Sequence, residues 1–206
     1  SVLSDGSRAW GITGVSLQRP DQRDRLQPQN GLYTLLERDD LVARARIIGS
    51  ILEVLVAPEN PSTVVARLAH SDTRIASLTI TEKGYCHDPA TGELNARHPD
   101  VCHDLCHPES PITAPGLMVR ALELRRKANI PPFTVLCCDN LPSNGDTLRG
   151  LVLAFAERVD VALARWIERE CTFPNSMVDR IVPRTTAADL AGAREVLGLE
   201  DRAAVV

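Results

Sequence analysis

Short apolar runs alternate along this chain with longer amphipathic stretches, and that alternation leaves few folds open. Ile75 to Ile80 (IASLTI) and Phe133 to Cys138 (FTVLCC) are apolar along most of their length, the pattern of strands buried on both faces. Ile51 to Val56 (ILEVLV) and Gly11 to Leu17 (GITGVSL) read the same way. Between and after them lie helical patterns. One opens at Pro61 and runs to Ala69; another spans Gly116 to Ala128, with a basic end that suits the helix dipole. A third covers Asp146 to Glu157, with Asn144 in place as its N-cap, and a fourth runs from Val161 to Cys171. The last covers Ala187 to Leu197 and ends at Gly198. Leu32 to Glu37 and Ala43 to Ile48 flank a charged turn and predict a β-hairpin, while QRPDQRD after the first strand reads as a polar turn. Thr81 to Pro111 is a long polar stretch and is expected to be a decorated loop. Strands alternating with helices predict an α/β fold, a doubly wound and mostly parallel sheet with helices on both faces.

Composition narrows the function. The chain has 206 residues, 44% of them hydrophobic, enough to bury a core as one domain. A net charge of -4 without a basic block, and only 3% aromatic residues, argue against nucleic acid as a partner. No apolar run approaches the ~20 residues that span a bilayer. Ser1 to Trp10 lacks the basic start and apolar stretch of a signal peptide, so a cytoplasmic location is expected. Six cysteines cluster at Cys86, Cys102, Cys106, Cys137, Cys138 and Cys171 rather than spreading like a disulfide framework, and they read as reduced thiols.

In open parallel sheets ligands bind beyond the carboxyl ends of the strands. Three polar clusters fall where such ends are expected: Thr81 to Tyr85 (TEKGY), Asp139 to Pro142 (DNLP), and Met177 to Arg180 (MVDR). Loop polarity and backbone capping would account for any one of them singly. If all three serve a site, Lys83, Asn140 and Asp179 should come to one edge around one cleft. The dinucleotide fingerprint G-x-G-x-x-G is absent; Gly11 and Gly14 lie within a strand. Local pattern alone therefore reaches an α/β domain suited to a nucleotide.

The residues in order go further. WGITGVSL from Trp10, GLYT from Gly31, IGSI from Ile48, TEKGY with DPATG from Asp88, HPD from His98, CDNLPSN from Cys138 and SMVDRIVP from Ser176 closely resemble the mannitol dehydrogenase family. These are the polyol-specific long-chain dehydrogenases, fructuronate and altronate oxidoreductases among them. The resemblance implies a Rossmann-type cofactor-binding domain over residues 1–206. It also implies that the first strand and the glycine-rich turn lie upstream of Ser1, and that the helical domain with the catalytic lysine lies beyond Val206. The implied activity is nicotinamide-dependent interconversion of a polyol and a keto-sugar, or reduction of a keto-sugar acid. Asn140 is implied as the catalytic amide on the reacting oxygen, also touching cofactor and substrate. Asp179 is implied at the cofactor and substrate mouth, Thr81 and Lys83 beside the cofactor, and no metal. NAD is the implied cofactor. An acidic residue after the second strand of such a fold usually takes the ribose hydroxyls of NAD; here that strand ends in Leu17, Gln18, Arg19, Pro20, Asp21, with no carboxylate directly after it, which leaves NADP open. The substrate within the class and the oligomeric state stay open as well.

A second reading comes from Cys86, His87, His98, Cys102, His103, Cys106 and His107. Cys102 with Cys106, and His103 with His107, are four residues apart on a possible helix, a spacing that can hold zinc. In that reading the chain is a non-catalytic α/β binding module stabilised by a metal.

Overall fold

Strand β1 (Ile12–Ser16) pairs in parallel with β4 (Ile51–Val56), from Ile12 opposite Ile51 to Ser16 opposite Val56, with one register shift after Ile12. Parallel neighbours cannot be joined by a tight turn, and 34 residues of connection carry the chain back to the starting edge. That connection holds a short helix α1 (Asp21–Leu26) and the antiparallel hairpin of β2 (Tyr33–Asp39) and β3 (Val42–Ile48). The helix corrects the polar turn expected for QRPDQRD. It hides from a hydrophobic pattern because Leu26 is its single buried residue. The computed structural model describes residues 10–39, 42–88, 90–178 and 184–205. These gather into two compact units, Ser1–Val56 with Arg180–Val206, and Ala57–Asp179.

In the first unit the last stretch of chain returns onto the hairpin. Leu36 N–H donates to the Val205 carbonyl and Val205 N–H to the Thr34 carbonyl, both at 2.8 Å. Leu36, Ala193 and Ala204 form the small core beneath, closed by α7 (Ala187–Leu197). Thr186 and Asp189 cap this helix reciprocally, and Gly198 ends it in the left-handed conformation.

The second unit repeats the parallel theme. β5 (Ile75–Leu78) pairs in register with β6 (Thr134–Cys137), from Ile75 opposite Thr134 to Leu78 opposite Cys137. It is preceded by α2 (Pro61–Ala69), which has proline at its first position and Asn60 accepting from Thr63 N–H at 3.1 Å. The crossover from β5 to β6 carries α3 (Pro99–Cys106) and α4 (Ala114–Lys127), so the decorated loop expected over 81–111 contains a helix of its own. After β6 come α5 (Asn144–Val159) and α6 (Val161–Glu170), with Asp160 ending one and capping the next. Val135, Leu148, Leu151, Val152, Leu163 and Ile167 are at most 1% exposed and form the core, each such side chain stabilising by roughly 1.5–3 kcal/mol.

One cation is built into this core. Arg125 is 2% exposed; its guanidinium donates to the carbonyls of Leu68, His70, Thr73 and Pro131 and lies over the Phe133 ring at 5.3 Å. It gives donors to carbonyls at the end of α2, in the α2–β5 connection and just before β6.

Candidate functional site

Because β5 and β6 run parallel and in register, their carboxyl ends leave at one edge of the sheet. There the chain turns polar twice, into TEKGY and into CDNLPSNG, and one side chain joins the two turns. The Asp139 carboxylate accepts from Ile80 N–H at 2.9 Å, Thr81 N–H at 3.1 Å and the Tyr85 hydroxyl at 2.6 Å. Thr81 sits at φ 62° and ψ 162°, a region that β-branched residues occupy only when their surroundings hold them there. The next four residues, Glu82–Tyr85, form a single 3-10 turn that leaves Lys83 exposed. Tyr85 is fully buried, its hydroxyl also 3.0 Å from the Cys137 sulfur. Burial first, and the bond to Asp139 second, push its hydroxyl well above the ordinary tyrosine range, so it stays a donor at any physiological pH.

Asn140 follows directly. It lies exposed at the bend after β6, and its amide makes no hydrogen bond among the described residues. Asn144 does the reverse. The sequence suggests it as the N-cap of α5, but that position belongs to Ser143, which takes the left-handed conformation at φ 44° and makes no side-chain cap. Asn144 is the first helical residue and is 3% exposed. Its amide donates to the carbonyl of Asp139 (3.2 Å) and to the carbonyl and hydroxyl of Ser176 (3.0 and 2.9 Å), and its oxygen accepts from Ser176 N–H (2.9 Å). The helix start is capped instead from 30 residues away, where the Asn175 carboxamide oxygen accepts from Gly145 N–H at 2.8 Å and from Asp146 N–H at 3.2 Å. Gly145 has to be glycine for this docking, since a Cβ there would meet the Phe173 and Pro174 carbonyl oxygens at 2.6 and 2.5 Å. Ser176 finally donates to the Cys137 carbonyl at 2.5 Å, which ties the segment to the end of β6.

Thr81, Lys83 and Asn140 thus share one edge, with Thr81 and the residue before Asn140 directly bonded. Met177 and Val178 leave the same neighbourhood exposed, and Asp179 lies outside the described residues. Three residues hold this edge to which the sequence assigned no role at the site: Asp139 and Tyr85, which lie inside two of the polar clusters, and Asn144, expected as an N-cap. The bonds that give Asp139 and Asn144 their role here run mostly to partners 32 to 59 residues away. Arg19 is exposed after β1, in the other unit, and Asp21 opens α1.

The Cys/His segment forms a helix as its spacing suggests, but its side chains turn to near neighbours. His98 Nδ1 accepts from Asp100 N–H at 3.2 Å and caps α3; Cys102 donates to the Ala96 carbonyl. The His103 and His107 rings stack at 4.8 Å, with His107 Nδ1 3.1 Å from the His103 carbonyl oxygen. Among the described residues no three His, Cys, Asp or Glu side chains gather to hold a metal ion.

Parallel strand pairs with helical crossovers and a polar edge at the strands' carboxyl ends define the class: an α/β domain of the Rossmann type. The chain belongs to the mannitol dehydrogenase family, whose Rossmann-domain model matches residues 3–206. Mannitol 2-dehydrogenase of Phaeosphaeria nodorum is 44% identical over 97% of this chain and 36% of its own length. Mannitol 2-dehydrogenase of Aspergillus terreus is 43% identical over 100% of this chain and 42% of its own length. Among solved structures, Pseudomonas fluorescens mannitol 2-dehydrogenase in ternary complex with NAD and D-mannitol superposes with a TM-score of 0.91 at 44% identity, over 96% of this chain and 41% of that one. A D-sorbitol dehydrogenase in substrate-free form gives 0.93 at 36% identity, over 98% of this chain and 43% of that one. The chain therefore spans about two fifths of the length of the relatives it matches.

Proposed function

We propose that residues 1–206 are the cofactor-binding domain of an NAD-dependent oxidoreductase that interconverts a polyol and a keto-sugar, or reduces a keto-sugar acid. The observation that carries this reading is the exposed Asn140 amide, without a hydrogen bond among the described residues, on the carboxyl edge of a Rossmann-type sheet in this family. The relative solved with NAD and D-mannitol supports both the cofactor and the substrate class. The donors at this edge, the Thr81 hydroxyl, the Lys83 ammonium and the Asn140 amide, suit a nicotinamide ribose and a sugar oxygen.

Bound NAD would supply the hydride acceptor. Asn140 donates a hydrogen bond to the reacting oxygen, where negative charge gathers as the hydroxyl proton leaves. An amide serves there because it never titrates and therefore donates at every pH. Thr81 and Lys83 flank the cofactor, and the family resemblance assigns Asp179 to the mouth shared by cofactor and substrate. The lysine base and the pyrophosphate turn belong to parts of the family outside this stretch, so this domain works together with a helical catalytic domain. Lacking an acid directly after β1, the chain leaves the choice between NAD and NADP to Arg19 and Asp21, and the family supports NAD.

Among the described residues no helix is long and apolar enough to cross a membrane. All six cysteines are free, which suits a reducing compartment, and we place the protein in the cytoplasm.

The test is nicotinamide absorbance with the full-length protein against mannitol, fructose, arabinitol, fructuronate and tagaturonate. Turnover of at least one of these with NAD is expected. Turnover of none, with either nicotinamide cofactor, contradicts the reading.

A further inference from the structure

The geometry points to Asp139 as a positioning residue that fixes how the Thr81–Lys83 turn stands against Asn140. The inference rests on the proposed reading of this edge as a nicotinamide and polyol site and deepens it.

Asp139 is covalently next to Asn140, so its orientation and that of the reacting amide are coupled through one peptide unit. Its two carboxylate oxygens are filled by three donors from 54 to 59 residues earlier: Ile80 N–H, Thr81 N–H and the Tyr85 hydroxyl. Two of these donors are backbone groups on either side of the Ile80–Thr81 junction. The third comes from a fully buried ring that cannot move without opening the core. A pair of apolar side chains would join two strand ends with less desolvation cost. A carboxylate adds direction instead, since each oxygen accepts only along its lone pairs. The direction imposed here is one that a β-branched residue does not otherwise adopt, with Thr81 at φ 62°. The first residue of the cofactor-side turn is thus held by the residue before the substrate-side amide.

Such a residue acts on alignment. Hydride transfer needs donor and acceptor carbons held close and in line, and a displacement of about 1 Å lowers the rate by roughly 100-fold while most cofactor contacts persist. Loosening the Asp139 link should therefore lower turnover far more than cofactor affinity.

The experiment uses the full-length enzyme with Asp139→Asn, Tyr85→Phe and the double variant. Turnover is measured per NADH-binding site, with sites counted by fluorescence titration, so that loss of folded protein does not register as loss of rate. Asp139→Asn is expected to lower kcat by ~30- to 100-fold with the NADH Kd changed less than ~3-fold. Tyr85→Phe removes one of three donors and is expected to cost ~3- to 10-fold. Because both variants break the same link, the double variant should be no more than ~2-fold slower than Asp139→Asn alone. A kcat per site within ~3-fold of wild type for Asp139→Asn overturns the inference, as does a double variant slowed by the full product of the two factors. Should Asp139→Asn not fold, Tyr85→Phe decides, and unchanged turnover overturns the inference. A wild-type enzyme that binds NADH yet turns over no polyol sinks the site reading and this inference with it. Active wild type with an equally active Asp139→Asn sinks this inference alone.

Discussion

Residues 98–107 and residues 139–144 are both rich in polar side chains, yet they bond over different distances along the chain. In the first stretch His98 reaches Asp100, Cys102 reaches Ala96, His107 reaches His103 and Asp104 reaches Ile112 and Thr113, all within nine residues. In the second Asp139 reaches Ile80, Thr81 and Tyr85, and Asn144 reaches Ser176, over 32 to 59 residues. Short-range bonds shape a helix and its end. Long-range bonds fix distant segments against one another, which a binding edge assembled from several loops requires. The crowded Cys/His spacing was the more conspicuous signal in the sequence and is the less organised in space.

The comparison breaks most visibly at Asn140. On the proposed reading, Asn140→Ala in the full-length protein should lower kcat by ~100- to 1,000-fold, the usual loss for one donor at a developing oxyanion, while the NADH Kd barely moves. Steady-state kinetics beside a fluorescence titration checks both halves. Next comes Asn144, whose removal takes away the partner of the Ser176 N–H and of the Ser176 carbonyl, while the Asp139 carbonyl keeps the Leu141 N–H. Asn144→Ala should cost about 2–4 kcal/mol in urea unfolding, with a lowered midpoint and an unchanged m-value. The matching change in the other stretch should be almost silent. Cys102→Ser with Cys106→Ser, both on exposed positions of α3, should shift stability by less than ~0.5 kcal/mol and leave turnover as it was. A loss of bound metal together with stability in that double variant would favour the metal-binding module instead.

Thiol chemistry sharpens the same contrast at smaller scale. Cys102 and Cys106 are exposed and should be alkylated by iodoacetamide in the native protein. Cys86 and Cys171 are buried, and burial pushes their thiols up to about 11 and about 12, so little thiolate is present to react at neutral pH. Mass spectrometry of peptides before and after unfolding should show Cys86 and Cys171 labelled only after. Labelling Cys102 and Cys106 should leave NADH binding intact.

Much of the fold was legible because its signals are local. β4 at Ile51–Val56, α2 at Pro61–Ala69 and α7 at Ala187–Leu197 follow from an apolar run, a first-turn proline and a closing glycine, and their bounds in the structure match. The hairpin of β2 and β3 followed from a charged turn flanked by the runs Leu32 to Glu37 and Ala43 to Ile48. α1 was hidden because six mostly charged residues with one buried leucine carry no helical stripe. Asn144 misled for another reason. Its residue type and place fit an N-cap, but Ser176 offered it three hydrogen bonds and the Asp139 carbonyl a fourth, and Asn175 took over the capping from outside the helix. Motif order located the edge at Thr81, Lys83 and Asn140. What holds that edge together lies in pairings between distant residues, and no window along a single sequence contains both partners.

Hydrogen–deuterium exchange of the full-length protein, with and without saturating NAD, tests most directly whether the strand-end edge is the site. The account predicts slowed exchange at Ile80 to Tyr85 and at Asp139 to Asn144, with His98 to His107 unchanged. Protection confined to His98 to His107, or bound NAD that leaves both strand-end turns exchanging as before, would contradict it.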